Sequence, residues 1–236
     1  MIITIDGPAG SGKSTAARKL AARLGIPYLD TGAMYRVVTL AALEGGIDLS
    51  DESRLAALAS GDDYQLDLGP THIRVTLRGR DVTEEIRSMR VNDSTRHVAA
   101  LPAVRQALVD KQRAIGRRLG SLVTEGRDQG SVAFPGADVK FFLDASPEKR
   151  AERRLHELLA DGEDVTFEQV LANLSTRDRT DSQRQAGPLV VPPGAIRIDT
   201  TQLSIAQVLD LMTEHVRRAG FSPPSTAGVN PARGGH

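Results

Sequence analysis

The chain opens on a β-branched apolar run, "MIITI", and the period of its apolar residues then changes. "KSTAARKLAARLG" carries them at helical spacing and stops on Gly25. The first segment therefore predicts a strand, a loop and a helix. A short strand at "PYLD" and a helix over "GAMYRVVTLAALEG" follow. Alternating strands and helices predict right-handed βαβ units on a parallel sheet. "DESRLAALAS" adds a further short helix.

From Tyr64 to Val82 the pattern turns to period two. "YQLDL" and "HIRVTLRGRDV" alternate apolar and polar residues, with turns at "GPT" and "RGRD". This predicts a small antiparallel, β-rich insertion over about residues 62–98, interrupting a core made of 1–61 and 99–220. Helical spacing returns in "LPAVRQALVDKQRAIGRRLG", with Pro102 in its first turn. "SLVTEG" and "VKFFLDAS" read as buried strands, and Ser146-Pro147 caps the helix "EKRAERRLHELLADG". "TFEQVLANLSTRDRTDSQR" is helical and runs into a charge-dense end. "AIRID" is a last strand, and "SIAQVLDLMTEHVRRAG" a closing amphipathic helix. The expectation is one α/β domain over residues 1–220, its parallel sheet layered between helices. The tail "FSPPSTAGVNPARGGH", residues 221–236, has almost no apolar content and is expected to be disordered.

Composition narrows the function classes. Of 236 residues, 40% are hydrophobic, enough for a sizeable core. Thirty basic and 30 acidic residues give zero net charge, which speaks against a nucleic-acid partner. Among the 30 basic residues 25 are arginine, the better planar clamp for phosphate. The chain has no cysteine, excluding disulfides, thiolate metal sites and cysteine nucleophiles. No apolar run reaches membrane-spanning length, and the N-terminal run leads directly into a loop instead of a signal-peptide pattern. A cytoplasmic protein acting as a monomer, without membrane or nucleic-acid partners, is expected.

The chemistry is concentrated in "GPAGSGKST", residues 7–15. Its spacing, G-x-x-x-x-G-K-[ST], is that of a phosphate-binding loop. Gly7, Gly10 and Gly12 let consecutive N–H groups point into one concave nest. The helix opening there aims its dipole at the same point, so Ser11 and the N–H groups of Lys13, Ser14 and Thr15 line a nucleotide-phosphate site. Lys13 reaches the β- and γ-phosphates, and the Ser14 hydroxyl is the expected Mg²⁺ ligand. Asp6 is expected to support the loop.

GTPases, motor ATPases and small-molecule kinases share such loops. No Asp here has Gly three positions on, and no Asn precedes Lys, so the guanine-nucleotide switch motifs are missing. A kinase needs a second anion site, and three clusters qualify. "DTGAMYR" supplies Thr31 and Arg36 at a strand end. "EGRDQGS" places Arg127 and Asp128 at another, where open α/β sheets bind ligands. "RDRTDSQR" spaces Arg177, Asp181 and Arg184 at i, i+4 and i+7, on one predicted helical face.

These motifs, together with "VAALPAVRQALVDKQR" and "IRIDTTQLSI", resemble the bacterial cytidylate kinases over most of residues 1–212, in order. The resemblance implies a nucleoside monophosphate kinase with a mobile helical lid over about 150–186 and an insertion in the monophosphate-binding part. It implies ATP-dependent phosphorylation of CMP, and of dCMP, with Mg²⁺. Arg36, Arg127 and Arg184 match the arginines that hold the acceptor phosphate, with Lys13, Arg127 and Arg184 as the catalytic set. Arg177 and Asp181 match ribose contacts. Thr31, Arg105 and Asp128 match the positions that recognise cytosine. Arg150, Arg153 and Arg154 are candidates to reach ATP phosphates from the lid. The chain departs from the family at Arg96, where a small serine is usual, and at Gln129 and Ser131 in the "EGRD" loop. A kinase for another acceptor, such as UMP or shikimate, and a non-catalytic nucleotide sensor are the alternatives.

Overall fold

The computed structural model describes residues 1–160 and 162–221; the predicted tail, apart from Phe221, lies outside them. Eight strands and eight α-helices are described: β1 (Ile2–Asp6), α1 (Lys13–Leu24), β2 (Tyr28–Asp30), α2 (Thr31–Glu44), α3 (Glu52–Ser60), β3 (Tyr64–Leu68), β4 (Ile73–Leu77), β5 (Arg80–Asp81), α4 (Met89–Ala100), α5 (Pro102–Leu119), β6 (Leu122–Gly126), β7 (Val139–Asp144), α6 (Pro147–Ala160), α7 (Phe167–Gln183), β8 (Ile196–Asp199) and α8 (Ile205–Arg218).

Five strands form a parallel sheet in the order β2-β6-β1-β7-β8. Each of the inner strands β6 and β1 is apolar or neutral along most of its length, as a sheet covered on both faces requires. One face packs Leu29, Leu122 and the α2, α3 and α5 side chains Met34, Val38, Leu55 and Leu108. The other packs Ile3, Ile5, Phe141 and Leu143 against Leu20 of α1 and Met212 of α8. Helix, sheet and helix therefore make the three expected layers.

β3, β4 and β5 form a separate antiparallel sheet, where period-two alternation predicts one. Val75, Leu77, Val82 and Ile86 join the core of α2, so this sheet shares the main core instead of building its own. The β-rich expectation fails in the second half of residues 62–98. A 3₁₀ turn at Glu85–Arg87 leads into α4, whose buried residues are Val91 and Val98. Two anchors seven residues apart are too sparse a signal beside the polar stretch "NDSTRH".

The β1–β6 register brings Asp6 opposite Gly126. Asp6 supports the loop after β6, not the glycine loop beside it. Its Oδ1 and Oδ2 accept the N–H groups of Gln129 (2.8 Å) and Gly130 (2.7 Å). Burial pushes its carboxyl up to about 6, against the pull of those two hydrogen bonds. Asp6→Ala leaves two buried donors without an acceptor and lowers unfolding free energy by about 3 kcal/mol in urea titration. The pH dependence has a definite sign. Between about 4 and 6 the folded chain holds a proton at Asp6 that the unfolded chain releases, so this group's contribution to stability rises as pH falls through that window. The stability difference between the native chain and Asp6→Asn shifts toward the native chain from pH 7 to pH 4.

Candidate active site

The carboxyl ends of β1, β2, β6 and β7 open on one crevice. At the first of these ends, Gly7 has φ +153° and no room for a side chain: a Cβ there would lie 2.1 Å from Leu143 O. Gly10 and Gly12 follow at φ +76° and +84°. Gly12 caps α1 without a side-chain hydrogen bond, so the first turn, Lys13, Ser14 and Thr15, opens with its N–H groups free for an anion. The Ser11 hydroxyl is buried and has no protein partner. Lys13 is buried, its Nζ donating to Pro8 O at 3.1 Å. Burial and the charge of Arg127 push its pKa down to about 7, while Glu125 opposes them.

Glu125 was not singled out in the sequence. It ends β6 beside α1, is 5% exposed, and its Oε1 accepts the Ser14 hydroxyl hydrogen at 2.9 Å. Tyr28 OH stands 3.4 Å from the same oxygen. Burial and the nearby charge of Asp30 raise its pKa. The signal available was its place near a predicted strand end, two residues before Arg127.

On the far side of the crevice, Asp30 caps α2 by accepting Ala33 N–H at 3.0 Å, and it also accepts Arg36 Nη2 at 2.7 Å. Arg87, from the turn before α4, comes within 3.6 Å of the same carboxylate. Thr31 opens α2 and donates its hydroxyl hydrogen to Glu125 O at 2.7 Å. Arg105 on α5 and Asp128 after β6 are both buried and pair with each other. The Arg105 guanidinium also donates to Ala99 O and lies 5.6 Å over the Tyr35 ring. Arg127 Nε donates to Asp181 Oδ2 at 2.7 Å. Burial alone would raise the Asp181 pKa, but the charges of Arg127, Arg184 and Arg177 bring it below the usual carboxylate range.

The predicted helical face of Arg177, Asp181 and Arg184 is corrected at its last member. α7 ends at Gln183, and Arg184 is extended at its C-cap, with φ −59° and ψ 139°. Gly187 and Pro188, close downstream, cannot continue a helix. Arg184 still returns to within 3.4 Å of Asp181. Arg177 stands exposed on α7.

Among the arginines expected to reach ATP phosphates, Arg153 stands beside the phosphate loop, its Nη1 3.9 Å from where a Cβ on Gly12 would lie; the hydrogen bonds of all three go to protein groups. Arg150 is held by Ala9 O and Ala145 O, and Arg153 by Thr200, whose hydroxyl donates to Ser11 O at 3.2 Å. Arg154 makes an exposed i,i+3 pair with Glu157. Of the departures, Arg96 is exposed on α4. Gln129 is buried, bonded to Thr124 and Gln112.

The site thus carries guanidinium N–H groups short of hydrogen bonds, Arg184 Nη2 having only its ion pair with Asp181 at 3.4 Å. Arg36 Nε and Arg184 Nε and Nη2 are buried without a hydrogen-bond partner. Burial and the charges of Arg105 and Arg127 depress the Arg184 pKa. Such a cluster is completed by an anion.

The chain matches the family model described as Cytidylate kinase over residues 3–218. It is 47% identical over 216 residues to a cytidylate kinase of Caldanaerobacter subterraneus subsp. tengcongensis, covering 92% of this chain and 94% of that protein. A cytidylate kinase of Solibacter usitatus is also 47% identical, over 219 residues and 92% of each chain. Among solved structures, an uncharacterized protein from Eubacterium ventriosum shares the fold, with a TM-score of 0.51 at 14% identity over 92% of this chain and 98% of that one. On the strength of the family match and these two relatives, the chain belongs to the cytidylate kinase family.

Proposed function

We propose that the chain transfers the γ-phosphoryl group of ATP to the phosphate of CMP, and of dCMP, with Mg²⁺ as the metal. The observation that carries the reading is the glycine cradle at the end of β1 together with arginine donors left unpartnered at Arg36 and Arg184. Family membership favours this over the shikimate-like acceptor and the sensor.

The cradle and Lys13 hold the ATP phosphates; Arg36, Arg127 and Arg184 hold the acceptor phosphate, and Arg177 and Asp181 its ribose. The loose transition state of phosphoryl transfer needs alignment and charge neutralisation more than covalent chemistry. No general base is required, because the acceptor oxygen is already ionised. The oxygen donors at the metal position suit Mg²⁺. Ser14 would hold it, its hydrogen turned to Glu125 and its lone pairs left for the ion. Bound there, the metal would supply positive charge to neutralise the phosphates.

Base choice follows from hydrogen direction. Thr31 has spent its hydrogen on Glu125 O and offers only lone pairs. Asp128 gives Oδ2 to Arg105 and keeps Oδ1. Both groups accept, which suits the N4 amino group of cytosine and opposes O4 of uracil.

Residues 62–98 act as the acceptor-side insertion, and residues 150–186, which hold most of α6 and all of α7, as the lid. Among the described residues no helix is long and apolar enough to cross a membrane. A cytoplasmic monomer fits the chain. The test is an ADP-release assay with Mg-ATP across nucleoside monophosphates. CMP and dCMP are expected to exceed UMP in kcat/KM by at least tenfold; equal turnover of UMP would overturn the base assignment.

A further inference from the structure

Arg150 occupies a junction that the reaction described above does not use. It lies on α6, is 5% exposed, and reaches three segments at once. Its Nη1 donates to Ala9 O in the phosphate loop at 3.0 Å. Its Nε donates to Ala145 O, just after β7, at 3.1 Å. The same Nη1 lies 2.7 Å from Asp178 Oδ2 on α7. Asp178 follows Arg177 directly and precedes Asp181 by three positions, so it sits on the helix that carries the ribose contacts.

Packing reinforces the junction. Ala9, at the apex of the loop, is buried with Ala151 of α6 and with Val170 and Leu174 of α7 in a small apolar cluster. A Cβ on Gly10 would lie 3.1 Å from both Cβ and O of Arg150, so loop and helix meet without slack. A planar fork hydrogen-bonded to two fixed carbonyls and ion-paired with Asp178 is a rigid brace, which a lysine does not reproduce. Buried ion pairs add little net stability, so stability alone does not account for the pair.

We infer that Arg150 and Asp178 form a latch that makes the phosphate loop and α7 shift together, so that ATP and CMP bind cooperatively. Both are positioning residues; neither touches a reacting atom. The inference rests on the two nucleotide sites proposed above. When phosphate fixes the loop, Ala9 and Arg150 fix the angle of α7, and Asp181 and Arg177 are already set for the ribose. Linkage requires the converse: CMP tightens ATP binding by the same factor.

The test is calorimetric. CMP affinity is measured with and without a non-hydrolysable ATP analogue and Mg²⁺, in the full chain, in Asp178→Asn and in Arg150→Lys. The native chain is expected to gain about fivefold or more in CMP affinity when the analogue is bound. Asp178→Asn keeps the side-chain shape, and its carboxylate is 23% exposed, so the variant folds. It should reduce the gain to twofold or less with the CMP affinity of the nucleotide-free protein unchanged, a pattern that loss of structure does not produce. Arg150→Lys should behave alike. Unchanged cooperativity in both variants, or none in a native chain that turns over CMP, overturns the latch and leaves the proposed function standing. A native chain that does not phosphorylate CMP overturns the function itself.

Discussion

Lys13→Ala lowers kcat for CMP phosphorylation by about 10³-fold, on the order of 4 kcal/mol, while the chain remains folded. Lys13 is a buried cation at the start of α1 whose one protein hydrogen bond goes to Pro8 O. Burial and Arg127 already disfavour its charge, pushing its pKa down to about 7. Burial sets a cost on that charge that offsets its hydrogen bond to Pro8 O, and alanine is an excellent helix former, so the fold tolerates the substitution. The transferring phosphoryl group is what gives the cation a partner. Steady-state kinetics with a thermal melt separate the two effects: activity collapses and Tm does not fall. Near-native turnover in a folded variant would show that the glycine loop does not hold the transferred phosphate.

Asp128→Asn lowers kcat/KM for CMP by about 10- to 100-fold, equivalent to 1–3 kcal/mol, and lowers that for UMP much less. A carboxylate can only accept a hydrogen bond from the base, whereas an amide can present either an acceptor or a donor. Arg105 claims the amide oxygen and leaves the NH₂ toward the base; cytosine N4 donates and uracil O4 accepts, so the substitution removes a match for one base and creates one for the other. Asp128 also pairs with Arg105, and losing that charge weakens the arginine toward both substrates. The informative readout is accordingly the CMP-to-UMP ratio. Arg127→Ala is the control: it grips phosphate, common to both, and depresses the two alike. Parallel losses in the Asp128 variant would mean that the carboxylate only orients Arg105.

Much of this site was legible because its parts are local. The phosphate loop is nine consecutive residues between a strand and a helix, and each glycine has a backbone reason to be there. The parallel order was legible from strand-helix alternation, and Arg127 and Asp128 from their place at a strand end. What stayed hidden depends on partners distant in sequence. Glu125 matters because β6 lies beside β1 and brings it to Ser14, 111 residues away. Arg150 looked like one of three equivalent lid arginines. Its burial against Ala9, 141 residues earlier, sets it apart. Helical spacing placed Arg184 on α7 because i+7 completes a face; Gly187 and Pro188 downstream end that regularity. The α4 helix was missed because its burial is confined to two valines.

The small apolar cluster around Ala9 has a consequence for how the chain unfolds. Ala151, Val170 and Leu174 belong to neither of the two cores that cover the sheet. A hairpin held by so little buried surface is a separate cooperative unit, able to melt and re-form while the sheet stays intact. It meets the phosphate loop through Ala9 and Arg150, and the sheet's strand ends through Arg150 to Ala145 O, Arg153 to Thr200 and Asp181 to Arg127. Nucleotide bound at the loop is expected to bias the local folding equilibrium of the hairpin. Hydrogen exchange in α6 and α7 is expected to slow when nucleotide is bound at the loop, while exchange in the parallel sheet stays unchanged.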